Sequence, residues 1–379
     1  MENMDIKDYV NHNYCFDGKY EEIDSYEEAK KIVEKENSIS CLIINPKNND
    51  ENINYEIIEC KDKICIDRST IVFDNIIKYI KMFNIDIKKT VYLFHYKENA
   101  CTKKNFKYKL LASSRKIGHN NIILYPTVFL CKSEIIKSPH YHIDARFIQN
   151  NGFKDIKWRD KKNIFFFRGI NSGNPFYNAK YKWNIERVSR SKLILEYLKL
   201  PEKYKKMCDI SFDRLCQNKE TLQDFINDKI TYNDLSKNNW VLDNNKTDDD
   251  LKEEIKIIIE NMSNHINLSD ILGNKYLFCL EGFDVSSLLN IVLCTNSLAI
   301  VPKMYYENTN INSSYLKPYI HYVPIKEDFS DLKEVIEWCL NNNEKCEEII
   351  KNANEYGKIF LNENNMLEFL KCLIEKIIK

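Results

Sequence analysis

Glycine and proline are scarce in this sequence. Among 379 residues there are 8 Gly and 8 Pro, about 4% together, where average usage is about 12%. This scarcity excludes collagen-like arrays, Gly-rich repeats and long flexible linkers. Any domains in the chain must therefore be joined by structured segments.

The chain also lacks net charge and long apolar runs. Its 56 Lys and Arg residues balance 56 Asp and Glu residues, which counts against a nucleic-acid partner because such proteins usually carry a basic surface. No apolar run reaches the roughly 18 residues that span a bilayer. The segment Met1–Ile6 lacks the basic start and apolar core of a signal peptide. We therefore expect a cytoplasmic protein without a membrane span.

Cysteine is plentiful, but its arrangement does not suggest cross-linking. The 13 cysteines are odd in number and scattered, and no two of them form a CxxC pair. A disulfide framework or a zinc site would need regular spacing. The pattern instead predicts reduced thiols in the core.

Length and composition favour two domains of the α/β class. Hydrophobic residues make up 44% of the sequence, which is enough for sizeable cores. Segments typical of strands alternate with segments typical of helices, as in α/β folds. We assign residues 1–150 to a first domain, 151–355 to a second, and 356–379 to a terminal helix that can pack back on the first domain.

The first domain is predicted to open with a helix. Ser25 and Glu28 form a capping box for a helix to about Lys35. Short apolar runs then predict strands, and Ser69 is a candidate N-cap for a helix through Phe83. The predicted strands are Cys41–Asn45, a hairpin of Tyr55–Cys60 with Ile64–Asp67, Val91–Tyr96, Lys109–Ala112 and Ile122–Tyr125.

The second domain is predicted to contain a βαβ unit. Its parts are the strand Tyr276–Leu280, a helix over Val285–Cys294 and the strand Ser297–Val301. The polar stretch 218–249 is predicted to be a surface insertion. Further strands are expected at Ile164–Phe167, Met207–Phe212 and Ile320–Val323, and further helices over Arg190–Leu198, from Thr247, from near Ser330, after Glu344 and over Met366–Ile378.

The segment that follows Tyr276–Leu280 has the composition of an anion-binding loop. In open α/β sheets, ligands bind at the carboxyl ends of strands, where the next helix N-terminus offers free N–H groups. Gly282 permits a tight turn, and Ser286 and Ser287 add hydroxyl donors. Glu281 can accept from sugar or ribose hydroxyls. The alternative is an ordinary turn capped by Asp284 or Ser286.

A second strand end, after Ile164–Phe167, carries basic and small residues. Arginine suits bidentate contact with phosphate, so a phosphate-bearing ligand is one interpretation. Surface salt bridges are the alternative for each arginine. The residues concerned are Arg168, Gly169, Ser172, Gly173, Arg187 and Arg190.

Two sequence features resemble metal-binding motifs but have a simpler interpretation, so no metal site is predicted. The triplet Asp248–Asp250 matches a DxD motif, but it begins a helix, where acidic residues complement the helix dipole. His140 and His142 have no cysteine or carboxylate cluster near them in sequence to complete a ligand set.

An ordered set of motifs in the second domain resembles the glycosyltransferases of family 90, over roughly residues 158–360. The first 150 residues match only loosely, through Val91–Glu98 and Ile122–Pro126. The motifs are Trp158-x-Asp-Lys-Lys, Phe166-Phe-Arg-Gly-x-x-Ser-Gly173, an Arg-bearing helix start, Lys275-Tyr-Leu-Phe-Cys-Leu-Glu-Gly282, Ser297–Pro302 and Leu316-Lys-Pro-Tyr-Ile-His-Tyr-Val-Pro324 followed by Asp328 and Ser330–Leu332.

The resemblance implies a GT-B fold with two Rossmann-like halves. It also implies a UDP-sugar donor held mainly by the second half, and inverting transfer that needs neither a metal nor a cofactor. The donor diphosphate would lie between two groups of residues: Arg168, Gly169, Ser172, Gly173, Arg187 and Arg190 on one side, and Glu281, Gly282, Asp284, Val285, Ser286 and Ser287 on the other.

The resemblance also suggests a catalytic base. Aligning Val91–Glu98 with the family's base-bearing strand places Glu98 at that position; an exposed loop acid is the alternative reading, and His95 and Asp144 are the other candidates for the base. His321 is given a supporting role, as a structural hydrogen bond or a ligand contact.

One departure from the family pattern leaves the sugar undetermined. Leu288 stands where the family's protein O-glucosyltransferases of the Rumi type place an arginine. The acceptor is expected to be a hydroxyl of a glycan or protein made in the cytoplasm, as in a bacterium or a large cytoplasmic virus. A second hypothesis is a non-catalytic protein that binds a nucleotide or sugar on the same scaffold.

Overall fold

The structure is a computed structural model. It describes residues 21–45, 53–95, 108–125, 155–172, 190–231 and 247–378, except for a few positions inside these ranges, together with Ile6, Tyr9 and Val10. The chain divides into two compact units, one of residues 1–153, 306–315 and 357–379, the other of residues 154–305 and 316–356. Within the described ranges, no helix has the length and apolar character needed to cross a membrane.

The described part of the chain contains both helices and strands, in keeping with the α/β prediction. In chain order they are α1 (Tyr26–Lys35), β1 (Ile39–Asn45), β2 (Asn54–Ile58), α2 (Lys63–Met82), β3 (Thr90–His95), β4 (Leu110–Ala112), β5 (Arg115–Lys116), β6 (Ile122–Leu124), β7 (Lys162–Ile170), α3 (Arg190–Lys199), α4 (Glu202–Lys205), β8 (Cys208–Arg214), α5 (Lys219–Ile226), α6 (Asp248–Glu260), α7 (Leu268–Leu272), β9 (Asn274–Phe278), α8 (Ser287–Val292), β10 (Leu298–Val301), β11 (Tyr306–Glu307), β12 (Val323–Pro324), α9 (Leu332–Asn341), α10 (Asn343–Leu361) and α11 (Glu363–Ile378).

The first unit contains a mixed five-stranded sheet in the order β2-β1-β3-β4-β6. Strands β3, β4 and β6 are parallel, whereas β1 runs antiparallel to both of its neighbours. The sheet therefore differs from the all-parallel sheet of a simple Rossmann-like half. Nearly every residue of β1, β4 and β6 is buried, which explains why these strands are continuous apolar runs in the sequence.

One predicted hairpin in this unit is wrong. β2 pairs with β1, and Ile64–Asp67 lies in helix α2. A four-residue apolar run does not distinguish a strand from a helix. The helical period of buried Val72, Ile76 and Ile80 shows the actual structure. Ser69 is therefore not an N-cap; its buried hydroxyl donates to Ser40 Oγ at 3.0 Å and ties α2 to β1.

The segment 306–315 comes late in the sequence but belongs to the first unit. Its strand β11 pairs antiparallel with β5, with Glu307 opposite Arg115. Arg115 Nε and Nη2 lie 2.8 Å and 2.7 Å from Glu307 Oε1, and both side chains are buried. A paired buried charge of this kind fixes the segment in one register.

The second unit contains an all-parallel sheet in the order β12-β10-β9-β7-β8. Counted along the chain, this is the order 2-1-3-4-5 of doubly wound α/β domains. The predicted βαβ unit is confirmed, because β9 and β10 are parallel neighbours connected through α8. Phe165 stacks on Tyr276 with ring centroids 4.1 Å apart, in the core between β7 and β9.

Two predictions for this unit need correction. Lys219–Ile226, inside the predicted insertion, is helix α5, which buries Leu222 and Phe225 at helical spacing. The predicted strand Ile320–Val323 is mostly a turn in which Tyr319 has a φ of 58°. Only Val323–Pro324 pairs with β10. The apolar and aromatic run therefore forms the turn that precedes the short strand β12.

The acidic triplet and the described cysteines behave as the sequence predicts. Asp248–Asp250 opens helix α6, where Thr247 and Asp250 form a capping box. The eight described cysteines are free thiols, and burial raises the pKa of Cys41 to about 12. A thiol with a pKa this high stays protonated and is a poor nucleophile.

Replacing Arg115 with methionine should destabilise the protein. The substitution leaves the buried Glu307 carboxylate without its partner, which typically costs about 3–5 kcal/mol. Chemical denaturation measures the loss. Lys256→Met, which removes an exposed partner of Glu260, serves as the control and should change stability by less than about 1 kcal/mol. Equal losses in the two variants would contradict this account.

Candidate functional site

The carboxyl ends of β7 and β9 meet at the point where the strand order of the second sheet reverses. Chain connections leave β7 and β9 in opposite directions here, which opens a crevice suited to ligands. Asn171 and Ser172 follow β7, which ends at Ile170, and Cys279–Gly282 follows β9. Both predicted loops are therefore at the same edge of the sheet.

The side chain of Arg190, the first residue of α3, joins these two loops through four hydrogen bonds, which we call the Arg190 clamp. Its Nη1 donates to Ile170 O and to Ser172 Oγ, both at 2.9 Å. Nη2 donates to Leu280 O at 2.8 Å, and Nε donates to Glu281 O at 3.0 Å. A planar guanidinium can serve acceptors on several sides at once, which an ammonium group cannot do with fixed geometry.

Gly282 is required by this arrangement. A Cβ atom on Gly282 would lie 2.6 Å from Ser172 Oγ and 2.8 Å from Arg190 Nη2. Gly169 is less constrained, because its Cβ would meet Phe167 at 3.7 Å and Arg190 at 3.8 Å, which are ordinary contacts. Of these two glycines, Gly282 is therefore the one on which the close approach of backbone and guanidinium depends.

Glu281 is buried, and its carboxylate fixes the segment that follows β10. Oε1 and Oε2 accept from the backbone N–H of Tyr305 at 3.0 Å and 3.1 Å. Tyr305 in turn donates from its hydroxyl to Glu327 Oε2 at 2.5 Å. The predicted contact of Glu281 with a ribose or sugar hydroxyl stays a prediction.

The remaining residues of this loop form a turn into α8. The Gly282 N–H donates to Asp284 O at 3.1 Å, and Val285 is buried. Ser286 occupies the N-cap position without a side-chain capping bond, and Ser287 is the exposed first residue of α8. The alternative of an ordinary turn thus describes the backbone, but the Ser286 side chain does not cap α8.

Arg168 lies on β7, and its side chain pairs with Asp209 on β8 instead of joining the Arg190 clamp. Its Nη2 donates to Asp209 Oδ1 at 2.6 Å, and its guanidinium lies 5.3 Å from the centre of the Phe166 ring. Asp209 is a partner that the sequence reasoning missed. The alternation of polar residues at 209, 211 and 213 in β8 is a signal that could have indicated it.

The contacts of His321 are with neighbouring groups of the protein, Lys317 and Tyr356. The Lys317 N–H donates to His321 Nδ1 at 3.0 Å, and the ring packs against Tyr356 with centroids 5.8 Å apart. Burial lowers the pKa of the imidazole below its ordinary value of 6.5. His95, a candidate base, is buried at the end of β3 with its Nε2 3.1 Å from Ser38 Oγ.

Four predicted site residues, Glu98, Asp144, Gly173 and Arg187, lie outside the described residues, as do His140 and His142. Of the other donor-site candidates, the structure brings together Gly169, Ser172, Arg190, Glu281 and Gly282. In the part of the chain that the structure describes, no three His, Cys, Asp or Glu side chains are grouped so as to hold a metal ion.

Comparison with known proteins gives a family match over most of the chain. The family model described as Glycosyl transferase family 90 matches residues 123–379. This range includes both strand-end loops, Arg190 and the whole of the second sheet. It also extends beyond the motifs at 158–360, as far as helix α11.

Individual relatives match over shorter segments. An uncharacterized protein, 179R, of Invertebrate iridescent virus 6 is 33% identical over 27% of this chain and 9% of its own length. The O-glucosyltransferase LpsA of Dichelobacter nodosus is 38% identical over 24% of this chain and 28% of its own. Protein O-glucosyltransferase 2 of Danio rerio is 25% identical over 30% and 22% respectively. The chain thus spans less than a third of the length of these relatives.

Substituting Gly282 by alanine should lower the free energy of unfolding by disturbing the Arg190 clamp. The new Cβ would force Ser172 or the Arg190 guanidinium from its place, and overpacking of this kind costs about 1–3 kcal/mol. Thermal and chemical unfolding measure the loss. Gly169→Ala is the matched control and should change stability by less than about 0.5 kcal/mol. A Gly282→Ala protein as stable as the Gly169→Ala protein would argue against the steric role.

The buried imidazole of His321 should make stability depend on pH. Because its folded-state pKa is lowered below 6.5, the unfolded chain takes up a proton more readily as pH falls through 6.5, and the folded state loses stability. The unmutated protein should therefore lose more melting temperature between pH 7.5 and 5.5 than His321→Gln does. Circular dichroism at both pH values checks this; equal losses would show that His321 is not responsible.

Proposed function

Because the chain belongs to glycosyl transferase family 90, we propose that it is an enzyme that transfers a hexose or pentose from a UDP-sugar to a hydroxyl of a glycan or protein. We further propose that transfer inverts the anomeric centre, that the fold is of the GT-B type, and that no metal or cofactor takes part. Two relatives whose names include O-glucosyltransferase support transfer of a sugar to oxygen.

The observation that carries this proposal is the Arg190 clamp at the switch point of the second sheet. Arg190 holds Ser172 after β7 and the Leu280–Glu281 backbone after β9. Ligands of open α/β sheets bind at this edge. A rigid pair of loops around a guanidinium is suited to a diphosphate, because the anion then meets preoriented donors and a positive charge.

In this proposal the leaving group, UDP, binds at the carboxyl edge of the second sheet. As the sugar–phosphate bond breaks, negative charge grows on the UDP β-phosphate, and the positive charge of Arg190 stabilises it. Gly282 lets backbone come close to the guanidinium, and Ser172 offers a hydroxyl beside it. Arg190 also acts indirectly, since removing it would release both loops.

An inverting reaction needs one base on the opposite side of the sugar. The base takes the proton of the acceptor hydroxyl as its oxygen attacks the anomeric carbon and UDP leaves from the other face. We propose Glu98 for this role, with Asp144 and His95 as the other candidates. A carboxylate is suited to it because a proton acceptor near neutral pH must be largely deprotonated.

Turnover separates this proposal from a non-catalytic binding protein. The purified full chain is incubated with a panel of UDP-sugars and candidate acceptors, and UDP release is measured with and without a chelator. Release that persists with chelator is the expected result. Loss of all release on chelation would refute metal independence, and binding of UDP without release from any sugar would favour the binding protein.

Glu98→Gln tests the base in the same assay. The amide keeps size and polarity but accepts no proton, so transfer should fall by about 10²–10⁴-fold while UDP affinity, measured by calorimetry, stays unchanged. Asp86→Asn, which alters an exposed carboxylate after α2, is the control and should transfer normally. Near-normal transfer by Glu98→Gln would move the role to Asp144.

A further inference from the structure

Two cysteines lie next to each other where helix α9 meets helix α10. Cys339 is in the last turn of α9, Cys346 is in the first turn of α10, and Asn342 separates the two helices. Cys346 Sγ donates to Cys339 O at 3.6 Å, and the two thiols also hydrogen-bond to each other. Both residues are fully buried. We call Cys339 and Cys346 the corner dithiol.

The corner between the two helices has a fixed shape, which keeps these thiols together. The Cys346 N–H donates to Asn342 O at 2.9 Å, and Asn342 Nδ2 donates to Trp338 O at 2.8 Å. Trp158 Nε1 donates to Asn343 Oδ1 at 3.0 Å, which ties the start of α10 to the segment before β7. Two groups held side by side in this way react with each other as if at a very high concentration.

The corner dithiol differs in acidity from isolated thiols of the same protein. Burial raises the pKa of Cys41, Cys208 and Cys294 to about 12. The pKa of Cys346 is lowered instead, chiefly because the Cys339 thiol donates a hydrogen bond to the Cys346 sulfur when that sulfur is a thiolate. The thiolate is the form that reacts with oxidants. Cys346 should therefore oxidise before these three thiols.

The corner dithiol lies just below the surface, at the start of a helix that both units share. Between the two cysteines the chain is largely exposed, at Asn341, Asn343, Glu344 and Lys345. Local opening of this corner alone would thus admit a molecule as small as hydrogen peroxide. Residues 343–356 of α10 belong to the second unit, and the helix continues into the first unit from residue 357. A bond at the corner would fix the start of this shared helix to α9.

We propose that the corner dithiol is a redox-sensitive cross-link, in which Cys339 and Cys346 form a disulfide when the protein meets a peroxide. The Cys346 thiolate attacks one oxygen of hydrogen peroxide and becomes a sulfenic acid; the O–O bond breaks, and the other oxygen leaves as hydroxide, which takes up the proton that Cys346 lost. The Cys339 sulfur then attacks the Cys346 sulfur, the S–O bond breaks, and a second water leaves with the Cys339 proton. The two thiols are oxidised by two electrons, and the peroxide is reduced to two waters.

Peptide mapping of the full chain tests the cross-link directly. The folded protein is treated with hydrogen peroxide, the remaining thiols are alkylated, and the protein is digested with trypsin and analysed by mass spectrometry without reduction. Trypsin cleaves after Lys345 and so separates the two cysteines, into peptides 334–345 and 346–351. A disulfide joins these two peptides into one species. Cys41→Ala, which removes an isolated buried thiol of β1, is the matched control.

The expected result is a joined peptide in the unmutated chain and in Cys41→Ala, formed on peroxide treatment and lost again with a dithiol reductant. In Cys339→Ser the joined peptide should be absent, and Cys346 should instead be trapped as a sulfenic acid by dimedone. The oxidised chain should melt about 5 °C higher than the reduced chain, because the cross-link restricts the unfolded state. Cys339→Ser should show no such rise on oxidation.

Three outcomes would overturn the inference. Peroxide treatment that leaves both cysteines alkylatable, or that carries Cys346 on to a sulfinic acid, would show that the native corner does not form the disulfide. A joined peptide found only after unfolding in urea would show the same. A joined peptide found only in a covalent dimer on a non-reducing gel would make the bond intermolecular. None of these measurements uses a UDP-sugar, so the result does not depend on the proposed function.

Discussion

The Arg190 guanidinium is the contact on which the candidate site depends. It donates to three backbone carbonyls and one hydroxyl, on two loops that follow neighbouring strands. Backbone carbonyls at strand ends have no ladder partner, so without the guanidinium these loops would lose the bonds that hold their shape. The clamp also explains Gly282, because no side chain fits between that backbone and Arg190. Loop shape and positive charge thus come from one residue.

Among the described residues, two buried cations are fully paired, one in each unit, and a third is only partly paired. Arg115 is paired with Glu307 in the first unit. In the second, buried Lys161 donates to Asp155 Oδ1 at 2.6 Å and to Leu272 O at 2.5 Å. Arg168 is different, since two of its nitrogens lack partners although the side chain is buried.

Local patterns predicted most elements and misplaced a few. Buried strands such as β1 and β9 were visible as apolar runs, and α6 as a helix that begins at the acidic triplet and has apolar residues at helical spacing. The errors occurred where a short run fits two structures: Ile64–Asp67 is helical, and the segment before Val323 is a turn. Such runs are decided by what packs on them. Helix α5 was hidden in a polar stretch because only Leu222 and Phe225 mark its buried face.

Periodicity and turn chemistry are local properties, so the α/β class, the order of motifs and the strand-end segments of Arg168, Ser172 and Gly282 could be predicted from the amino-acid sequence. The folded chain was needed to show that the ends of β7 and β9 are neighbours and that Asp209 pairs with Arg168. It also showed that Arg190 bonds to a carbonyl 90 residues away. These outcomes depend on the order of strands in the sheet. Strand order follows from the burial of whole faces, which no single segment encodes.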